Sequence, residues 1–195
     1  MIAFVRGNFA VKTTTRVVVD VNGVGYDLQI SLNTYSAIST KESGLLFTHL
    51  QVTENAHTLF GFAELAEKEL FMQLISVSGV GASTARMMLS GMRPDEITRA
   101  IVQGNTRQLE SIKGIGKKSA ERLIVELRDK LGKQSLEAGT IGNSMIASTD
   151  SDAVHALVAL GIGRPMAEQA VKKTISNLAS DASLEDIIKQ ALKNL

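Results

Sequence analysis

The sequence predicts an α+β multidomain fold: a small β-barrel, a compact helical domain built on a turn used twice, and a separate set of three short helices. Three observations predict it. Short runs up to residue 63 alternate apolar and polar side chains, the mark of half-buried strands. From Glu64 the apolar spacing becomes helical. Finally, the run from Leu74 to Ala85 aligns without a gap on Leu109 to Ala120, so one supersecondary unit occurs twice.

In residues 1–63, Val17, Val19 and Val21 alternate with Val18, Asp20 and Asn22, and Asn22-Gly23 is a strong hairpin turn. Val24 to Ile30 is the return strand, with Gly25 suggesting a bulge or sharp bend. Ile2 to Val11, Leu45 to Thr53 and Thr58 to Phe62 complete five strands, and Thr34 to Ile38 is a weak connecting segment. An oligonucleotide-binding (OB-fold) barrel fits this count, and so does a generic antiparallel barrel.

In residues 64–133, Leu65, Leu70, Phe71, Leu74 and Ile75 favour one helix face leading into Gly79-Val80-Gly81. Ser83 to Ser90 forms the next helix, stopped by Gly91. Pro94 opens another, with Asp95 and Glu96 in its first turn. Thr106 to Ile112 is a short helix, and Lys117 to Leu131 a longer one after Gly114-Ile115-Gly116. The helix near Pro94 ties the two turns together.

The repeated turn carries the chemistry. Glycines let the chain turn tightly and lie close to a ligand. The first amides of the following helix lack intrahelical partners and sit at the positive end of its dipole, which suits an anion. Lys117 and Lys118 oppose that dipole, so their presence asks for a bound phosphate; Ser83 stands in the matching place of the first copy. One Gly-x-Gly is equally well an ordinary Gly-capped turn, whereas two in register favour a phosphate grip. A Walker loop is excluded because Gly116-Lys117 is followed by Lys118 and Ser111 stands where the first Gly should be. The dinucleotide fingerprint is excluded by Thr84 and Ser119 at its third position. No nucleotide or other cofactor is expected on this chain.

Residues 134–148, rich in Gly, Ser, Thr and Asn, read as a flexible linker. In residues 149–195, Asp150 or Ser151 caps a first helix ending at Leu160-Gly161, Pro165 starts a second, and Ser183 with Asp186 starts Leu184 to Leu192. Val154, Leu157, Val158, Ala170, Val171, Ile175, Ile187, Ile188 and Leu192 are its expected core. So small a domain should be marginally stable. Leu160-Gly161-Ile162 reads equally as a helix stop or as an exposed apolar knob for a partner.

Composition narrows the function. The net charge of +1 hides a gradient. Residues 1–63 carry four Lys/Arg and four Asp/Glu, residues 64–133 carry twelve against nine, and residues 134–195 carry five against seven. The positive excess lies with the repeated turns, as an electrostatic footprint should. The absence of Cys removes disulfides and thiolate metal sites, and His49, His57 and His155 lack metal-ligand spacing. No apolar run approaches the ~20 residues of a membrane span, and Met-Ile-Ala-Phe-Val-Arg lacks signal-peptide character, so the expectation is cytoplasmic. No catalytic centre is expected: there is no Ser/His/Asp set, and Glu126 with Asp129 is too thin for a metal nuclease.

The repeat resembles the helix-hairpin-helix motif, which holds DNA phosphates without reading sequence. At larger scale, the chain resembles the RuvA family of Holliday-junction-binding proteins. The resemblance rests on Gly23-Val-Gly-Tyr26, Phe47-Thr-His49, Leu59-Phe-Gly-Phe62, Gly79-Val-Gly81, the run Gly114 to Glu126, and Ala156 to Gly161. It implies an OB-fold barrel, a tandem helix-hairpin-helix domain and a three-helix UBA-like domain. It further implies a homotetramer, or two tetramers face to face as an octamer, that holds a four-way junction open and nearly square. Gly79, Val80, Gly81, Ser83, Gly114, Ile115, Gly116, Lys117 and Lys118 would then hold phosphates, and Glu54 and Asn55 would form a pin at the crossover. Leu157, Leu160 and Ile162 would dock the hexameric RuvB ATPase, which binds the ATP, with RuvC resolvase in the wider complex.

Two departures stand out. The family's pin often has two adjacent acids, whereas Asn55 follows Glu54 here; and Ala82-Ser83-Thr84 replaces a segment where proline and lysine are common. The second hairpin should therefore bind more strongly. Rival functions are a DNA-repair glycosylase or structure-specific nuclease using the same grip, and a general DNA scaffold without junction preference.

Overall fold

The computed structural model describes residues 1–140, 149–175 and 183–194. They fall into two compact units, Met1–Gln134 and Ser135–Leu195. The barrel and both repeated turns thus share one unit.

Strands β1 (Phe4–Thr13), β2 (Arg16–Val21), β3 (Val24–Ile30), β4 (Ser43–Val52) and β5 (His57–Phe62) close into a barrel in the order β1-β2-β3-β5-β4. β3 pairs with β5 in parallel and the other pairs are antiparallel. The parallel pair rules out the generic antiparallel barrel and leaves the OB-type order. Val5, Val17, Val19, Leu28, Ile30 and Leu46 alternate inward and fill the interior. Asn22 (φ 51°) and Gly23 (φ 88°) both take positive φ, as the two-residue hairpin turn requires.

Two local readings change. The weak segment after β3 is helix α1 (Leu32–Ile38), because the Ser31 hydroxyl caps it by accepting from the Thr34 amide at 3.0 Å. The bulge is not at Gly25, which lies in regular register opposite Asp20. The register shift falls between Phe9 and Val11 of β1, a strand whose first half pairs with β4 and whose second half pairs with β2, so it has to coil from one partner to the other.

The helical part follows directly from β5. It comprises α2 (Leu65–Ser76), α3 (Ala82–Gly91), α4 (Pro94–Val102), α5 (Thr106–Glu110) and α6 (Lys117–Thr140). Pro94 occupies the first turn of α4, and the Glu96 carboxylate accepts from the Arg93 amide at 2.9 Å. α6 runs past Leu131 into the stretch read as linker, since Gln134, Leu136, Glu137 and Ala138 are good helix formers. The rest of that stretch, 141–148, lies outside the described residues.

Barrel and helices share a core. The Phe71 ring of α2 stands 5.0 Å from Phe60 and 4.9 Å from Phe62, both on β5. His49 completes the cluster at 5.7 Å from Phe71, and burial first, then the charge of Lys68, lowers its pKa. Beside this cluster lies Glu67, only 3% exposed. Its carboxylate accepts from the hydroxyls of Ser31 and of Thr34, the latter at 2.7 Å. Thr34 Oγ1 in turn accepts from the Ala63 amide at 3.0 Å. Desolvation raises the Glu67 pKa, the two hydroxyl bonds oppose that rise, and nearby Glu64 adds to it.

In the second unit, α7 (Thr149–Ala159), α8 (Arg164–Ile175) and α9 (Leu184–Lys193) enclose a core of Ala153, Leu157, Ala167, Ala170, Val171, Ile187 and Ala191. Asp150 lies within the first turn of α7 rather than capping it, with Asp152, where both complement the dipole. α8 begins at Arg164, one residue before Pro165. The Ser183 hydroxyl accepts from the Asp186 amide at 3.2 Å and starts α9. Val158 and Leu192, read as core, are exposed: four of the seven central residues are alanines, so the centre is filled by small side chains.

Glu67 makes a pH prediction. Its pKa is raised in the folded state, so its contribution is fully present below the ordinary glutamate pKa of about 4.3. It is lost as pH rises through the folded value. Glu67→Gln cannot titrate, so its stability relative to wild type should improve between pH 4 and pH 8 in urea unfolding. A pH-independent difference would show that this carboxyl is not desolvated.

Candidate nucleic-acid interface

The two turns match bond for bond. In the first, the Val77 amide donates to Leu74 O at 3.2 Å and the Val80 amide to Val77 O at 3.0 Å; Ala85 N then reaches Gly81 O at 2.9 Å. In the second, Ile112 N to Leu109 O, Ile115 N to Ile112 O and Ala120 N to Gly116 O measure 3.2, 3.0 and 3.0 Å. Ser76 Oγ and Ser111 Oγ cap the preceding helices by donating to Gln73 O at 2.6 Å and Gln108 O at 2.7 Å. Leu74, Val77, Val80, Ala85 and their counterparts Leu109, Ile112, Ile115, Ala120 are all buried in one core.

The two glycines of each turn have different work. Gly79 (φ +89°) and Gly114 (φ +93°) take left-handed backbone that a side chain disfavours. Gly81 has φ −80°, and a Cβ added at Gly81 or Gly116 would meet nothing within 4 Å. The fold does not need glycine at these second positions; a ligand lying against the backbone would.

Val80 and Ile115, assigned to phosphate on sequence, take another part. Their side chains are each 5% exposed and their amides are already bonded to Val77 and Ile112. They anchor the turn to the core. The amides of Gly81, Ala82, Ser83 and Thr84, and of Gly116, Lys117, Lys118 and Ser119, find no acceptor among the described residues. The free amides of Ala82, Ser83 and Thr84 agree with the expectation that the first hairpin relies on backbone rather than side chains; Ser119, whose part is likewise played by backbone, has no side-chain motif to reveal it.

Lys117 and Lys118 are exposed and form no ion pair among the described residues. Arg122, one turn further on, pairs with Glu126 at 2.7 Å. The hairpins lie close together: a methyl group at Gly114 would lie 3.7 Å from the Met87 thioether of α3. At the far end of β4 and β5, Thr53 N donates to Ala56 O at 2.9 Å and closes a tight turn with Glu54 and Asn55 exposed at its tip.

Comparison with known proteins supports this reading of the elements. Residues 1–61 match the model for the RuvA N terminal domain, 71–129 the SAM-like helix-hairpin-helix tandem, and 150–195 the RuvA C-terminal domain. A Flavobacterium psychrophilum protein described as Holliday junction branch migration complex subunit RuvA is 46% identical over 195 residues, all of both chains. Proteins of the same description from Cytophaga hutchinsonii and Bacteroides fragilis are 43% identical over 99% of both chains and 41% identical over all of both. The chain belongs to the RuvA family.

In this RuvA-family chain the C-terminal site residues separate. Leu157 is 0% exposed and belongs to the core of the second unit, so it is not a docking side chain. It faces inward because it begins the capping motif that ends α7. Ile162 N donates to Leu157 O at 3.1 Å and Gly161 N to Val158 O at 3.0 Å, with Gly161 at φ +91°. Ile162 packs back on the core, half-buried, while Leu160 stands 63% exposed. The helix stop and the exposed knob, alternatives on sequence, are one structure.

The roles of the glycines can be separated experimentally. Gly114→Ala should cost about 1 kcal/mol or more of stability through its positive φ. Gly116→Ala should leave stability within about 0.5 kcal/mol, yet weaken DNA binding. Chemical denaturation and a duplex titration on both variants check this. Equal loss of stability in the two would remove the distinction.

Proposed function

We propose that this chain binds four-way (Holliday) DNA junctions as a homotetramer, holds them open and nearly square, and recruits the hexameric ATPase RuvB for branch migration. The observation that carries the proposal is the pair of bond-matched turns, each presenting four unbonded amides beside an open glycine. Amides at a helix start bind phosphate without reading bases, and a grip that must pass over any sequence requires that. The described relatives are named for the same complex.

The remaining parts take roles consistent with that grip. The second hairpin, with Lys117 and Lys118, adds formal charge, whereas the first relies on amides alone. Four copies of the Glu54 tip would meet at the crossover and repel ordinary duplex; Asn55 tunes that repulsion rather than removing it. One unit charge about 10 Å from a phosphate in water is worth roughly 0.4 kcal/mol, so single copies act weakly and the fourfold arrangement does the selecting. Leu160 is the docking contact on RuvB, and ATP is bound by that motor, not by this chain. RuvC acts in the wider complex, in the cytoplasm. No described helix is long and apolar enough to cross a membrane.

The deciding experiment is a gel-shift comparison of a four-way junction with linear duplex at fixed salt. Equal affinities would reduce the chain to a general DNA scaffold. Lys117→Ala/Lys118→Ala should weaken binding at every sequence and reduce the log–log salt slope by about 0.9 for each phosphate no longer neutralised. An unaltered slope means that these lysines do not touch phosphate.

The second unit yields a paired test. Leu160→Asp should leave folding and junction binding intact but abolish stimulation of the RuvB ATPase. Leu157→Asp should unfold the second unit outright, because it buries a charge without a partner. Circular dichroism and an ATPase assay separate the two. Undiminished stimulation by Leu160→Asp would place docking elsewhere.

A further inference from the structure

The buried Glu67 carboxylate is not used by the grip, the pin or the docking contact. It sits where three pieces of chain meet. Thr34 and Ser31 belong to the start of α1, Ala63 follows β5, and Glu67 lies in the first turn of α2. β5 is one leg of the hairpin that carries Glu54 and Asn55, and α2 runs directly into the first phosphate-binding turn. The bond chain Ala63 N–Thr34 Oγ1–Glu67–Ser31 Oγ therefore spans the joint between the tip and the turn.

Other barrel-to-helix ties lie nearer the surface. Asn33 Nδ2 donates to Leu89 O at 2.6 Å and to Met92 O at 2.9 Å, and the Leu32 amide reaches Ser90 Oγ at 3.1 Å. Arg86 on α3 bonds Thr15 O at 3.3 Å and the Gln29 side chain. The Glu67 network alone among these is wholly buried, with Ser31 at 1%, Thr34 at 0% and Glu67 at 3% exposure. Apolar side chains of similar volume would hold such a joint at least as firmly, because a buried carboxylate costs desolvation that hydrogen bonds only partly repay. What directional bonds add is a fixed angle, since each hydroxyl has one place to be.

We propose that Glu67, with Ser31 and Thr34, is a positioning element that sets the separation between the pin tip and the first hairpin, and so the preference for junction over duplex. This rests on the junction-binding function proposed above. A duplex is held by the hairpins and meets the tip only as a weak repulsion, whereas a junction must fit hairpins and tip together. Loosening the joint therefore penalises the junction and does not weaken the duplex.

The test compares four-way junction and linear duplex affinities, with salt slopes, for the full-length wild type, Glu67→Gln and Thr34→Val/Glu67→Leu. The double variant replaces two members of the network by apolar groups, and its unfolding transition is measured alongside. The expected result is a folded double variant whose duplex affinity does not fall and whose salt slope is that of wild type. Its junction affinity should fall about tenfold, within the usual range of coupling between separate binding elements. Glu67→Gln, which keeps one acceptor, should fall partway. A folded double variant with the wild-type affinity ratio overturns the proposal, as does an equal fall on both DNAs. If the double variant does not fold, Glu67→Gln decides, and an unchanged ratio there is equally fatal. The wild-type arm is independent: if it shows no junction preference, the junction-binding function fails rather than the role of Glu67.

Discussion

The gripping surface depends on the burial of four aliphatic side chains, Val77, Val80, Ile112 and Ile115, at the two turns. Each pair locks its turn to the common core and consumes the turn's own amides in tight bonds to Leu74 and Val77, or to Leu109 and Ile112. Only with the turn so held do the next four amides face outward without a partner. A free amide is costly when buried and useful when it meets a ligand. The hydrophobic core thus prepares the polar surface, and the surface can stay rigid because nothing in it has to move to form the site.

That core does not stop at the helices. Phe71 packs at a tilt against Phe60 and Phe62 of the barrel, and Glu67 bonds Ser31 and Thr34 beside it. β5 therefore has two duties, supplying one leg of the Glu54-Asn55 hairpin and one wall of the helical core. A strand so shared leaves the barrel little freedom to swing against the hairpins. For the junction-binding role proposed above, rigidity here and weak, sequence-blind contact at the phosphates would be complementary requirements.

The second unit uses one helix end twice. The capping bonds from Gly161 and Ile162 satisfy the last carbonyls of α7, bury Leu157 beneath them and leave Leu160 outside. An apolar side chain on a rigid cap loses little conformational freedom on docking, which favours binding through a small contact.

Much of this was legible in the chain itself. Local chemistry made it so: Asn22-Gly23 demands a hairpin, Pro94 a helix start, and the register of Leu74–Ala85 on Leu109–Ala120 a duplicated turn. The full-length similarity then fits the family that those residues suggested. What could not be read was whatever depends on which neighbour arrives from elsewhere. Val80 and Ile115 look like parts of a phosphate loop until the core closes over them. Leu157 reads on sequence both as core and as a docking residue beside Leu160, and only the packing of α8 and α9 decides for core. Gly25 resembles a bulge residue, yet the register shift falls on β1, whose two halves serve different partners. Glu67 falls at helical spacing from Leu70, Phe71 and Leu74, yet nothing near it in sequence announces that Ser31 and Thr34 will pack over it. Turn propensities and periodicity act over a few residues and are written in the chain, whereas burial is settled by contacts between distant segments and is decided only when the chain has closed.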